Sequence, residues 1–250
     1  MTERRVPGAA LAMNPAKHAL AEVLLRWYVK KDLTIIGDEN LEKARELKSS
    51  GAALIFFPNH LSNADVPVLD YSLRQRGYVD IASSRYDMQG SVLDGNPITR
   101  TLKTAYNVIP IPSQRLEMKN IEKYQKQRGR GHSAAMQVLE TGGALSVLAQ
   151  GSRSRDKKLH PEKVKPSTAI YLDMAPNVYI IPVGIWGTED VLPIGSAKLR
   201  HGKVTISFGE PVSALELKQH AILTDPERVN ELIMADIMGR IAALLPEEYR

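Results

Sequence analysis

The spacing of apolar and polar positions changes repeatedly along the chain, and each change marks an element. Residues 53–57, ALIFF, are apolar throughout. The run is too short for a helix of ordinary length and rich in Ile and Phe, so it predicts a buried strand. It stops at Pro58, which cannot donate to a central ladder. Comparable runs predict strands over 33–36, 78–83, 108–111, 144–149, 178–186 and 204–208. Residues 14–31, 38–49, 66–76, 133–140, 167–174 and 224–245 read as helices. Their ends carry the expected signals. Asn14 and Pro15 suit a cap and first turn, and Gly51, Gly77 and the pair Gly142–Gly143 suit helix ends. Thr224 with Glu227 has the spacing of a capping box. Val229, Leu232, Ile233, Ile237, Ile241 and Leu244 form the core face behind it.

Three stretches give a weaker pattern. Residues 85–106 contain Gly90, Gly95 and Pro97 and read as a loop followed by a helix from about Ile98. Residues 119–130 are strongly basic, and Gly129 and Gly131 suggest a mobile or exposed connection. Residues 151–166 read as a charged loop. Strands and helices otherwise alternate throughout. The expected fold is therefore α/β, a single layered domain with a mixed, largely parallel sheet flanked by helices. No internal repeat or linker divides it. The organisation expected is a tail and amphipathic helix over 1–31 and one domain over 32–250.

Composition narrows the chemistry. The chain has no Cys, which excludes disulfides, thiolate metal sites and a Cys nucleophile. No H-E-x-x-H occurs and the His residues are scattered, so no metal is expected. No G-x-S-x-G occurs, which argues against a Ser hydrolase. The basic start lacks a following apolar stretch, and no window of 18 apolar residues exists. A cytoplasmic protein is expected. A formal charge of +5 and a pI near 9.3 favour an anionic partner. The 14–31 helix carries Leu20, Val23, Leu24, Trp27 and Tyr28 on one face, with Lys17, Arg26, Lys30 and Lys31 around it. That pattern fits either a helix packed on the core or one lying in a membrane interface. The second reading adds peripheral contact with anionic lipid on the inner face of the cell membrane.

The most informative chemistry stands at strand ends, where open α/β sheets place their ligands. His60 follows the strand over 53–57, and Asp65 follows it after four residues. An Asp folded back onto the imidazole would hold Nδ1–H and leave Nε2 as a base of fixed tautomer. The strand over 144–149 leads into QGSRSRD. Gly151 lets the backbone approach a ligand. Ser152 and Ser154 offer hydroxyls, and Arg153 and Arg155 offer planar forks suited to phosphate. The strand over 108–111 delivers Arg115 to a loop, and Pro182 interrupts the strand over 178–186.

In this order the motifs resemble the glycerolipid acyltransferase family. Asn59, His60 and Asp65 match its N-H-x4-D motif, and residues 149–155 match part of its F-P-E-G-T-R-S-R motif. The strand around Pro182, the segment IPVGIWGTEDVLP and the later VTISFGEPVS are also similar to it. The similarity runs from about residue 33 to 213. Two departures stand out. Ala149 and Gln150 replace the usual Pro and Glu, and Arg115 lies two residues later than in the bacterial lysophosphatidate enzymes. Both departures resemble the soluble plastid-type glycerol-3-phosphate acyltransferases.

The resemblance implies transfer of a fatty acyl group from acyl-CoA or acyl carrier protein to a hydroxyl of 1-acylglycerol-3-phosphate. Glycerol-3-phosphate is the alternative acceptor. His60 would be the base and Asp65 its orienting partner. Arg115, Gly151, Ser152, Arg153 and Arg155 would bind substrate. No cofactor is implied beyond the acyl thioester itself. A non-catalytic binder of anionic lipid or nucleic acid is the rival reading. Its nucleic-acid version lacks stacking residues, since only Tyr124 lies among the basic segments, and no nucleic acid is expected.

Overall fold

The computed structural model describes residues 8–90, 101, 104–112, 118–148, 150–196 and 198–250. Its strands are β1 (Leu33–Ile36), β2 (Ala53–Pro58), β3 (Arg85–Gly90), β4 (Val108–Ile111), β5 (Ala144–Val147), β6 (Val178–Trp186), β7 (Val204–Phe208) and β8 (Val212–Ser213). Among the described residues they form one sheet in the order β1-β7-β6-β2-β5-β3-β4, with β8 beside β6. The run from β6 through β2, β5 and β3 to β4 is parallel. β7 is antiparallel to β6 and parallel to β1. The sheet is mixed and mostly parallel, and helices cover both faces.

Strand β2 is central and buried along its whole length. Leu54 and Phe56 face a cluster with Leu41, Leu69 and Leu73. Ala53, Ile55 and Phe57 face the opposite cluster, with Ala134, Val138, Ile237 and Ile241. A strand buried on both faces needs apolar side chains at odd and even positions alike, which is why ALIFF does not alternate. The helices α1 (Pro15–Tyr28), α2 (Asp38–Ser49), α3 (Asp65–Gln75) and α4 (Val79–Ser84) precede β3. Then come α5 (Ile121–Glu140), α6 (Thr188–Val191), α7 (Ala214–Thr224) and α8 (Val229–Leu244). Leu69 and Leu73 place α3 on one face of the sheet, while Ala134 and Val138 place α5 on the other.

Several elements differ from the sequence reading. Residues 78–83 are not a strand: Val79–Ser84 is helix α4, and the strand follows at Arg85–Gly90. That strand buries Arg85, Asp87 and Gln89, so its pattern hides it among polar positions. The basic stretch over 119–130 is largely exposed, but it opens the 20-residue helix α5 rather than a connection. Asn120 caps it, accepting a 2.8 Å bond from the Lys123 amide. Gly131 does not break it. A Cβ there would stand 2.9 Å from Ile111 Cδ1, so glycine lets α5 settle on β4. Residues 166–173 wind as a 3-10 segment rather than an α-helix. The terminal helix expected over 224–245 begins only at Val229, as α8, and a separate helix not read from the sequence, α7, ends at Thr224. The Thr224 hydroxyl donates to His220 O. The first of the pair starts at Ser213, whose Oγ accepts from the Glu216 amide. The helix expected from about Ile98, with Gly95 and Pro97, lies largely outside the described residues.

The N-terminal helix divides its apolar face. His18, Ala21 and Leu25 are buried, and His18 Nε2 stands 3.0 Å from Asp70 Oδ2 on α3. Leu20, Val23 and Trp27 point outward, with Trp27 72% exposed. Behind His18 lies a buried charge cluster. Arg74 Nε donates to Asp70 Oδ2 at 2.7 Å, and the Arg85 guanidinium lies 3.8 Å from Asp70 and 3.1 Å from Asp87. Among the described residues no helix is long and apolar enough to cross a membrane.

Candidate active site

The site begins where β2 ends. Pro58 closes the strand, and Asn59 carries on its pairing with β6 through the side chain. Its Nδ2 donates to Ile185 O at 2.8 Å, and Ile185 N donates to its Oδ1 at 2.7 Å. This amide clamp, 2% exposed, fixes the backbone just before His60. His60 and Asp65 then meet across the turn into α3. The His60 Nδ1 lies 2.7 Å from Asp65 Oδ2. The same oxygen accepts from the Leu61 and Ser62 amides at 2.8 and 2.9 Å. Thr188 Oγ1 donates to the other oxygen, Oδ1, at 2.5 Å. Asp65 is 1% exposed, so four donors replace water around it. A carboxylate only accepts, which puts the imidazole proton on Nδ1 and leaves Nε2 as the acceptor.

The backbone of His60 is gripped by the loop after β5. Gln150 Oε1 accepts from the His60 amide at 3.2 Å, and His60 O accepts from the Ser154 amide at 2.8 Å. Because the amide of His60 needs an acceptor, the Gln150 oxygen is fixed and its Nε2 is a donor. That Nε2 is buried and has no hydrogen-bond partner among the described residues. The Ser62 hydroxyl ties the turn to Leu192 O at 2.7 Å.

A cavity of about 840 Å3 opens over these residues. His60, Gln150, Gly151, Ser152 and Arg153 line it, as do Val66 and Pro67 of α3 and Tyr124, Arg128 and His132 of α5. Arg153 is half-buried. Burial lowers its affinity for a proton, nearby Asp65 raises it, and Arg155 lowers it further. Arg155 is exposed and is not part of the cavity lining, so the structure does not bring it to the site with Arg153. Arg115 lies outside the described residues. Among the described residues no group of His, Cys, Asp and Glu is arranged to hold a metal.

Sequence reasoning missed two contributors. Thr188 follows β6, where Gly187 turns the chain with φ +86° and a Cβ would sit 2.0 Å from Lys203 O. The Gly-Thr pair after a buried strand was visible, but its contact with Asp65 is made across 123 residues. The amide of Gln150, which departs from the expected Glu, is the other.

The chain matches the acyltransferase family over residues 32–186, more than half its length. It belongs to the acyltransferase family. The match covers the His60–Asp65 turn, the Gln150–Arg153 loop and Asn59's partner strand β6. No curated protein matches the acyltransferase. Among solved structures it is similar to PlsC from Thermotoga maritima, a 1-acyl-sn-glycerophosphate (LPA) acyltransferase. The TM-score is 0.59 at 21% identity, over 92% of this chain and 78% of that one. At that identity the likeness concerns the fold: a mixed, mostly parallel sheet between helices.

Proposed function

We propose that this acyltransferase moves a fatty acyl group from an acyl thioester, acyl-CoA or acyl carrier protein, to a hydroxyl of 1-acylglycerol-3-phosphate. The observation that carries the reading is the buried Asp65 holding His60 at the wall of a cavity that also receives Arg153. In this mechanism the acceptor hydroxyl gives its proton to His60 Nε2 as its oxygen attacks the thioester carbon. Asp65 stabilises the resulting imidazolium. Collapse of the tetrahedral intermediate breaks the carbon–sulfur bond, and the departing thiolate takes the proton back from His60. The ester and the free thiol leave, and the enzyme is unchanged. No covalent enzyme intermediate is needed. Base catalysis of this kind contributes roughly 10²–10⁴-fold, and positioning supplies much of the rest.

In this reading Arg153, which lines the cavity, holds the acceptor phosphate. In a glycerol phosphate the reacting oxygen and the phosphate are only a few bonds apart, so the cation must stand close to the base. The charge of Asp65 acts on Arg153, which is consistent with such closeness. Glycerol-3-phosphate is the second reading, favoured by Ala149 and Gln150 at the positions of the usual Pro and Glu. An assay offering both acceptors with one labelled thioester tests the proposal. Labelled phosphatidate as the main product supports it. Labelled lysophosphatidate alone selects the second acceptor, and no transfer to either overturns both.

A peripheral association with anionic membrane belongs to the same proposal. The exposed Leu20, Val23 and Trp27 of α1, with Arg26 and Lys31 nearby, support it.

A further inference from the structure

A second set of cations lines the cavity besides Arg153. Tyr124, Arg128 and His132 stand at i, i+4 and i+8 on α5, one stripe of the helix, and all three line the cavity. Lys163 and Lys165 line it from the segment before the 3-10 turn. Arg128, Lys163 and Lys165 are exposed and make no salt bridge among the described residues. The stripe is otherwise uncharged. Burial and neighbouring Arg128 lower the basicity of the His132 imidazole, and burial pushes the Tyr171 hydroxyl up to about 12. The two rings lie against each other with centroids 5.4 Å apart.

These cations stand apart from the His60–Asp65 pair. Asp65 begins α3, which packs on one face of the sheet. Helix α5 and the 3-10 segment pack on the other, through Ala134, Val138 and Leu172. The cavity therefore bridges the rim of the sheet, with Arg153 beside the base and the second cluster across from it. A glycerol phosphate is only a few bonds long, whereas the arm of an acyl thioester is extended. The thiol arm common to coenzyme A and acyl carrier protein ends in a phosphate, and ordinary bond lengths put that phosphate roughly 15 Å from the sulfur when extended. Its two amides and geminal methyls also suit a passage lined by Tyr124, His132 and Tyr171.

We propose that Arg128, Lys163 and Lys165 form a subsite for the phosphate of the donor's 4′-phosphopantetheine arm. The proposal rests on the acyl-transfer reading and names how its donor is held. The test is a donor comparison on the triple variant Arg128→Ala/Lys163→Ala/Lys165→Ala, using one acyl chain on coenzyme A, on acyl carrier protein and on unphosphorylated pantetheine. The KM for the phosphorylated donors is expected to rise about tenfold, since each exposed charge contributes modestly. The kcat, the acceptor KM and the KM for acyl-pantetheine should stay within twofold of wild type. A rise confined to one of the two phosphorylated donors, which share this phosphate, would assign the cations to another group of that donor and overturn the subsite. An equal rise for acyl-pantetheine, a rise in acceptor KM instead, or no rise at all overturns the subsite. Equilibrium binding of free 4′-phosphopantetheine and pantetheine is measured in parallel and needs no turnover. If the wild-type protein prefers the phosphorylated compound and the triple variant does not, the subsite stands even should the acyl acceptor prove different. If wild type binds both alike, the subsite fails whatever the assay gives.

Discussion

At the scale of single residues the site separates two kinds of charge. Asp65 is buried and saturated by donors, and Arg153 is half-buried beside it, whereas Arg155 two residues later faces solvent. A charge-assisted bond to phosphate contributes roughly 1.5–3 kcal/mol, or about ten- to a hundredfold. Arg153→Ala is therefore expected to raise the KM for the phosphorylated acceptor by that factor, and Arg155→Ala by much less. Steady-state kinetics with the acceptor varied checks this, and equal effects would contradict the placement. Gln150 permits a second prediction. Glu at this position keeps an acceptor for the His60 amide but exchanges Nε2, which has no partner among the described residues, for a carboxylate oxygen. A negative charge near the imidazole favours its protonated form. In Gln150→Glu the acid limb of kcat/KM against pH should move to higher pH. An unmoved profile would mean that the Gln150 head group does not reach the field of His60.

At the scale of elements α1 has two faces and two predicted roles. Inward, His18 joins Asp70, which also binds Arg74 and lies near Arg85, so three elements share one buried carboxylate. Burial pushes the Asp70 carboxyl up, but the His18 bond and the charges of Arg85 and Arg74 outweigh it and hold it below its usual range. A depressed carboxyl contributes stability above its unfolded pKa of about 3.9, and that stability is lost as pH falls through the folded value. Asp70→Asn should cost about 3–5 kcal/mol at neutral pH. In urea unfolding its gap from wild type should narrow as pH drops below about 4; a constant gap would contradict the linkage. Asp87 acts in the opposite sense. Burial, against the pull of Arg85, pushes it up to about 6. Its contribution is present below the ordinary carboxylate value and is lost as pH rises towards 6. Outward, Trp27→Glu should weaken co-sedimentation with anionic vesicles without unfolding the protein, because Trp27 is 72% exposed. Unchanged binding, or no binding by wild type at low salt, would remove α1 as a docking element. The same elements explain what the sequence concealed. β3 buries Arg85 between the carboxylates of Asp70 and Asp87, so it carries charges where a strand pattern expects apolar residues. In α5 the glycine that looked like a breaker is a contact residue. Neither fact is visible until the partner element is in place.

At the scale of the molecule the legible part was the sheet and the strand ends. β2 declared itself because both of its faces are covered, and the His60 and Arg153 loops follow adjacent parallel strands, β2 and β5. Parallel neighbours put their C-terminal ends side by side, which brings residues 60 and 150–154 into contact across some 90 positions. The Thr188 contact depends on β6 lying on the other side of β2, an order that local pattern does not encode. The His60–Asp65 pair was readable because both partners lie on one short turn. All of this converges on one claim, that His60 is the base. The direct test is the kcat of purified His60→Ala in acyl transfer, with circular dichroism and thermal unfolding matching wild type. His60 is at the cavity wall and its side chain is not part of the core, so the fold should persist. The account predicts a fall of roughly 10²–10⁴-fold. Turnover near the wild-type rate in the folded variant would contradict it.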